Sequence, residues 1–145
     1  MIKKPLKIIF KVAITIAISC NTKINKQESP LAIVVKLISA ESFADFTEAS
    51  KYIDVQEVYA NDRDSLTAIQ AWKKEILFYY GLNQDKKFTN AFKYYNYNIK
   101  EKQGSEYAEI SFEAKNSGSN VQKITYTLKN NKGQWIVVKI DYLHK

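Results

Sequence analysis

Proton-transfer chemistry in this chain would have to come from a small set of side chains. His144 is the only histidine in the 145 residues, and an imidazole can act as a general base near neutral pH. It precedes the last residue of the sequence, where we expect fraying, so we assign it no catalytic role. A carboxylate beside a tyrosine is the other arrangement that moves protons, and Asp54, Glu57 and Glu75 are the candidates for it.

The sequence contains no pattern typical of a cofactor or metal site. One histidine and one cysteine are too few ligands for zinc. There is no glycine-rich phosphate loop and no nucleophile elbow. Lys86–Lys87 is either an anion patch or a solvated loop, and the loop is the preferred interpretation. We therefore predict no cofactor, no metal and no catalytic residues.

Aromatic side chains are the remaining candidates for a binding site. A tyrosine joins an apolar ring to a polar hydroxyl, which suits a cavity for a flat or amphipathic ligand. The alternative is that these rings pack in the core and on the sheet, which their spacing also fits. We name five residues as candidates for lining a cavity: Trp72, Tyr79, Tyr95, Tyr97 and Tyr126.

Cys20 is the only cysteine, and it follows a basic and then apolar N-terminal segment that ends in Ala17-Ile18-Ser19. This arrangement resembles a bacterial lipoprotein signal, in which the chain is cut between Ser19 and Cys20 and the cysteine thiol carries lipid. Ordinary signal-peptide cleavage at the same bond is an alternative, but it would leave an unpaired thiol in an exported protein. A retained membrane helix is the weakest alternative, because the longest apolar stretch, Val12 to Ile18, is too short to span a bilayer.

These observations divide the chain into three parts. Residues 1–19 are predicted to be the lipoprotein signal peptide, residues 20–28 the lipidated Cys20 with a flexible tether, and residues 29–145 one domain. The predicted location is the cell envelope, with the lipid holding the domain to a membrane on the extracytoplasmic side. Two or more acyl chains anchor a protein stably, so the anchor needs no contact between the domain and the bilayer.

The charge of the predicted mature chain is mild. The sequence has 22 basic and 15 acidic groups, and four of the lysines lie in residues 1–19, which leaves 18 basic groups and a net charge of +3. Arg63 is the only arginine, and arginine supplies the bidentate fork that suits phosphates and bases. We therefore predict no nucleic-acid partner.

The first part of the domain has helical periodicity. Ser29 and Pro30 fit the N-cap and the first helical position, and apolar residues at three- and four-residue spacing extend this helix to about Ala40. Apolar residues from Phe43 to Ile53 predict a second, short helix. Residues 55–59 fit either a short strand or a continued helix.

A further helix is predicted after a polar break. Asp64 or Ser65 is expected to cap it, and Gly81 to end it. Its buried stripe consists of Leu66, Ile69, Trp72, Ile76 and Tyr79 with Tyr80.

The second part of the domain alternates with the period of strands. Residues 103–105 and 130–133 are turns rich in glycine, asparagine and serine. Residues 135–138 are apolar on both faces, which predicts a central strand or a bulge. The four predicted strands are residues 91–101, 107–114, 121–129 and 134–143. The fold class is therefore α+β, with N-terminal helices packed on a curved, four-stranded antiparallel meander sheet.

This order of elements resembles the NTF2-like (cystatin-like α+β cone) superfamily, and most of all small bacterial lipoproteins with a domain-of-unknown-function module of that fold. The matching residues are Ser29–Pro30, Phe43–Phe46, Ala49 with Tyr52, and Asn131–Val137, which is similar to the family's Gly-Lys-Trp-Lys-Val ending. The resemblance covers about residues 29–142.

The resemblance implies a conical cavity between sheet and helices, which some members use for catalysis and many use for binding or assembly. Asp62-Arg63-Asp64 is similar to the Asp/Arg/Asp set of epoxide-opening members, but three consecutive residues point in different directions, so we interpret it as a cap and loop. Many members form dimers through the open sheet face, which leaves a homodimer as an alternative to the monomer.

We therefore predict a lipid-anchored envelope protein whose non-catalytic domain binds a small ligand or an envelope protein. The alternative is an isomerase, dehydratase or hydrolase that uses the cone cavity.

Overall fold

The computed structural model describes residues 27–60, 65–80 and 96–145. These residues form four helices followed by four strands. The helices are α1 Pro30–Ser42, α2 Phe46–Ala49, α3 Val55–Tyr59 and α4 Ala68–Tyr79. The strands are β1 Tyr97–Gln103, β2 Tyr107–Ala114, β3 Val121–Asn131 and β4 Gln134–His144. They form one open antiparallel sheet in the order β1-β2-β3-β4, which confirms the α+β class and the order of helices before sheet.

Helix α1 begins where the sequence predicts and ends one half-turn later. The Ser29 side chain accepts a hydrogen bond from the Ala32 backbone N–H, and Pro30 occupies the first helical position. The helix continues past Ala40 to Ser42. This short extension places Glu41 inside the helix, on the same face as the buried residues before it.

The segment after α1 differs from the predicted single helix. It forms two short helices, α2 and α3, each capped by an aspartate: Asp45 accepts from the Glu48 N–H, and Asp54 from the Glu57 N–H, both at 3.0 Å. Residues 55–59 are therefore helical, but they form the separate helix α3 and do not continue the helix before them. Phe43, which the periodicity placed on a buried face, is 82% exposed because α1 has already ended and the chain turns there.

Helix α4 is capped by a residue that the sequence analysis did not choose. Thr67, and neither Asp64 nor Ser65, is the N-cap; its hydroxyl accepts from the Gln70 N–H while the Gln70 side chain accepts from the Thr67 N–H. The helix therefore begins at Ala68, and Ile69 is 50% exposed instead of lying on the buried stripe.

The inner face of the sheet packs against the helices. Alternate residues of β2 and β3 are buried and lie opposite one another, as in the pairs Ile110–Tyr126 and Phe112–Ile124. The outer face is polar: Lys100 and Lys123 both pair with Glu113, with nitrogen–oxygen distances of 2.6 and 3.5 Å. The alternation predicted for residues 107–114 and 121–129 is confirmed in the buried residues Ile110, Phe112, Ile124, Tyr126 and Leu128.

The β3–β4 hairpin closes as the turn residues predict. Lys132 and Gly133 have φ values of 52° and 91°, the left-handed region that a tight hairpin turn requires. The register of the two strands shifts between Thr127 and Leu128, which confirms the bulge. The central-strand alternative is wrong for the sheet described, because β4 lies at its edge.

A backbone bridge joins β4 to the helical half of the domain. Ile53 and Val137 form a parallel bridge, in which the Asp54 N–H donates to the Val137 carbonyl at 2.8 Å and the Val137 N–H donates to the Tyr52 carbonyl at 2.9 Å. This bridge fixes the loop between α2 and α3 against the sheet.

Candidate functional site

A groove of about 570 Å³ opens between α2, α3, α4 and β4. Its size falls within the range of small-molecule sites. Its walls are mostly apolar, and a few polar groups stand among them. The lining residues are Phe46, Thr47, Ser50, Ile53, Asp54, Val55, Gln56, Ile69, Trp72, Lys73 and Ile136.

Two aromatic rings and one cation organise the groove. Phe46 meets Trp72 edge to face, with ring centroids 5.2 Å apart. The Lys73 ammonium lies 5.3 Å from the centroid of the Phe46 ring. Asp54 is held at the groove as the N-cap of α3, and Thr67 starts α4 so that Trp72 faces the core. The groove therefore offers an apolar wall with one positive and one negative side chain.

Behind Trp72 lies a buried acid that the sequence analysis missed. Glu41, in the last turn of α1, is 2% exposed, and its carboxyl accepts a hydrogen bond of 2.8 Å from the Trp72 indole N–H. Burial raises the pKa of Glu41 to about 8; the bond from Trp72 lowers the pKa, and the nearby Glu75 raises it further. Glu41 is therefore a neutral acid at neutral pH.

One signal in the sequence could have found Glu41. It follows Leu37 and Ile38 by four and three residues, so it continues the buried stripe of α1 by one more turn. The predicted helix ends at about Ala40, one residue before Glu41. A charged residue on the extension of an apolar stripe indicates a buried polar contact.

Of the three carboxylates that are candidates for lying beside a tyrosine, Glu75 contacts Tyr59. The Tyr59 hydroxyl donates to the Glu75 carboxylate at 3.1 Å, and Glu75 is half-buried. Burial and the adjacent Glu75 charge raise the pKa of the Tyr59 hydroxyl above its usual range. The other two candidates lie elsewhere: Asp54 caps α3 beside the groove, and Glu57 is exposed.

The aromatic residues predicted to line a cavity lie in different parts of the fold. Tyr97 is buried and donates to the Val121 carbonyl at 3.0 Å. Tyr126 is buried and packs edge to face on Phe112. Of the four candidates that the structure describes, only Trp72 lines the groove, and Tyr95 lies outside the described residues. A role for these rings in lining a cone cavity stays a prediction.

His144 is held by the fold instead of fraying at the chain end. It pairs with Val121 in the sheet, and its Nε2 lies 3.0 Å from the Tyr79 hydroxyl oxygen. The Tyr79 ring stacks on Tyr142, with centroids 4.5 Å apart. The contact attaches the end of β4 to the end of α4, which is a structural role.

Several sequence candidates lie outside the described residues, and the structure gives no account of them: Ser19, Cys20, Asp62-Arg63-Asp64, Lys86–Lys87 and Tyr95. Within residues 27–60, 65–80 and 96–145, no group of three or more histidine, cysteine, aspartate and glutamate side chains is arranged to hold a metal ion. In the same residues, no helix has the length and apolar character needed to cross a bilayer.

A scan of the chain against protein-family models finds no match, and a comparison with curated proteins finds none either. The resemblance to NTF2-like proteins therefore stays a prediction.

Proposed function

We propose that this chain is a lipid-anchored protein of the bacterial cell envelope whose domain binds a small amphipathic molecule without transforming it. The anchoring part is supported by Cys20 and the Ala17-Ile18-Ser19 segment before it. The helices followed by a four-stranded antiparallel sheet support an NTF2-like roll as the fold of the domain.

The groove between the helices and β4 is the observation that carries the binding proposal. Ligand sites are concave, mostly apolar and furnished with a few polar groups that orient the ligand, and this groove has each of these features. Ile69 lies in the wall of the groove and is half exposed to water. A ligand that covers its side chain removes apolar surface from water, which makes the free energy of binding more favourable.

The groove chemistry indicates the class of ligand. An apolar body would lie along Phe46, Trp72 and Ile69, where it removes their surface from water. A polar or charged end would meet Lys73 or Asp54, both of which line the groove. The proposal is therefore an amphipathic small molecule whose apolar part carries most of the binding free energy.

Native mass spectrometry of the full chain, purified in mild detergent from a bacterial host, tests this proposal. Ile69→Arg fills the groove with a charged side chain, and Ile99→Arg is the matched control, because Ile99 is 45% exposed and lies on β1 away from the groove. We expect a bound small molecule on the wild-type and Ile99→Arg chains and none on Ile69→Arg.

The binding proposal is contradicted by a bare wild-type chain that also shows no NMR shifts at groove residues against a library of amphipathic fragments. It is equally contradicted if Ile69→Arg retains the same bound mass as the wild-type chain.

One observation favours an enzyme as a second candidate. The neutral Glu41 and the Glu75–Tyr59 pair combine a proton donor with a carboxylate beside a tyrosine, which an isomerase, dehydratase or hydrolase could use. A catalytic acid must reach its substrate. Carbodiimide with an amine labels carboxyl groups that small molecules reach, so labelling of Glu41 in the folded chain would support the enzyme. Labelling of the exposed Glu101 with none at Glu41 would contradict it.

A further inference from the structure

Among the described residues, Glu41 is the only residue of a charged type that the core buries, and its charge acts on groups from four other elements. The titratable groups that act on it or feel its charge come from each of them: Glu75 on α4, Tyr59 on α3, Tyr126 on β3 and Tyr142 on β4. All four are acids or weak acids. Each of them is neutral when protonated and negative when ionised, so none can compensate a negative charge on Glu41.

The backbone around Glu41 also disfavours its ionised form. It lies in the last turn of α1, where the helix dipole presents its negative end. The hydrogen bond from the Trp72 indole lowers the pKa of Glu41, but the indole is a neutral donor and cannot offset a full negative charge. An ionised carboxyl at this position would thus be a buried charge that none of these four groups offsets, and an uncompensated buried charge is costly in a protein interior.

The turn that follows Glu41 is strained. Ala44 has a φ of 54°, the left-handed region that disfavours residues with a Cβ atom. Its N–H donates to the Glu41 carbonyl at 2.9 Å, and the Asp45 N–H donates to the Ala40 carbonyl at 2.9 Å. These two bonds hold a turn that would relax if the end of α1 moved.

From this geometry we propose that the Glu41 carboxyl and the Trp72 indole form a pH-sensitive latch between α1 and α4. With Glu41 protonated, the latch is closed, and the carboxyl remains in the core. When Glu41 loses its proton, water must reach the carboxylate, so the last turn of α1 separates from α4 and the strained turn at Ala44 is released. The proton leaves to solvent, and no other group is consumed.

Burial raises the pKa of Glu41 to about 8, which sets the pH at which the latch should open. The indole N–H resonance of Trp72 in the full chain reports the latch directly, and Trp135 provides an internal comparison in the same spectrum. We expect the Trp72 resonance to shift with a midpoint near pH 8. Glu41→Gln should abolish this shift, whereas Glu101→Gln, an exposed glutamate on β1, should leave it unchanged.

Opening is measured separately by hydrogen exchange at the Ala44 and Asp45 amides, compared between wild type and Glu41→Gln at the same pH. We expect equal rates at pH 6 and at least tenfold faster exchange in the wild type at pH 9.5. A Trp72 resonance that does not titrate, a titration that survives in Glu41→Gln, or equal exchange at pH 9.5 would overturn the latch.

If Glu41→Gln does not fold, the ¹³C resonance of the Glu41 carboxyl in the wild-type chain decides the question. A midpoint near pH 8 together with faster exchange at Ala44 above it supports the latch. A midpoint near the ordinary glutamate value refutes it.

Discussion

The Glu41 side chain couples the stability of this fold to pH. In the folded chain burial holds its pKa near 8, whereas an unfolded chain has the ordinary value of 4.5. Between these values the folded state binds a proton that the unfolded state has released. Raising the pH therefore favours unfolding, by about 1.4 kcal/mol for each pH unit.

Glu41→Gln should remove this dependence, because an amide keeps the shape of the side chain and does not ionise. At pH 7 we expect the variant to be more stable than the wild type by about 3 kcal/mol, and near pH 4 the two should be equal. Urea unfolding at a series of pH values measures both. A difference between the two proteins that is independent of pH would contradict the assigned pKa.

At the level of single residues, local pattern was enough to predict several roles. Ser29 as a cap and Tyr97 and Tyr126 as sheet residues depend on spacing within one element. The contact between Glu75 and Tyr59 joins α4 to α3, and the sequence left it open among three carboxylates. Glu41 could not be assigned a role in this way, because its raised pKa depends on Trp72 and Glu75, which reach it only through packing. Burial by distant parts of the chain leaves little local signal.

The helices of this domain depend on their ends, because α2 and α3 have only four and five residues. Isolated helices of this length do not form in water, so capping and packing must supply their stability. Sequence pattern found the strands and the long helices. It misplaced the start of α4 because Asp64, Ser65 and Thr67 are all acceptable caps, and tertiary packing selects among them.

Thr67→Ala should remove the capping box of α4. We expect a loss of about 1 kcal/mol in the free energy of unfolding, because the Gln70 N–H loses its partner at the helix start. Ser65→Ala is the matched control, since Ser65 was the alternative cap and is exposed. Equal effects of the two substitutions in denaturant unfolding would argue against Thr67 as the cap.

Ala44→Gly should relieve the left-handed backbone at the end of α1. Glycine adopts a φ of 54° without a Cβ clash, so we expect a gain of up to about 1 kcal/mol in the free energy of unfolding. Ala32→Gly, in the first turn of α1, should have the opposite sign, because glycine is less favourable than alanine at a helical position. Thermal unfolding of both variants measures the contrast, and a loss of stability in Ala44→Gly would contradict it.

At the scale of the whole molecule, the sheet presents opposite characters on its two faces. The inner face carries the core, and the outer face carries lysine–glutamate pairs such as those around Glu113. Exposed pairs of this kind add little to stability, and they keep a sheet face hydrated. Dimerisation through this face stays a prediction that sedimentation of the full chain can test.

The proposed anchor gives a prediction for the complete chain in a bacterial cell. We expect a clickable fatty-acid analogue to label the protein and the protein to sediment with membranes. Cys20→Ser should abolish the label and release the protein, because the serine hydroxyl does not replace the thiol that carries the lipid. Labelling that persists in Cys20→Ser would contradict the anchor, and so would an unlabelled wild-type chain.

The bridge between Ile53 and Val137 also constrains when the domain can fold. A segment near the start of the domain completes its hydrogen bonds only on the last strand, through Tyr52 and Asp54. Contacts between residues so far apart in sequence form slowly and require nearly the whole chain. During synthesis the helical half therefore lacks this partner until β4 has been made. Until then the chain can pass unfolded through an export channel, as the proposed location in the cell envelope requires.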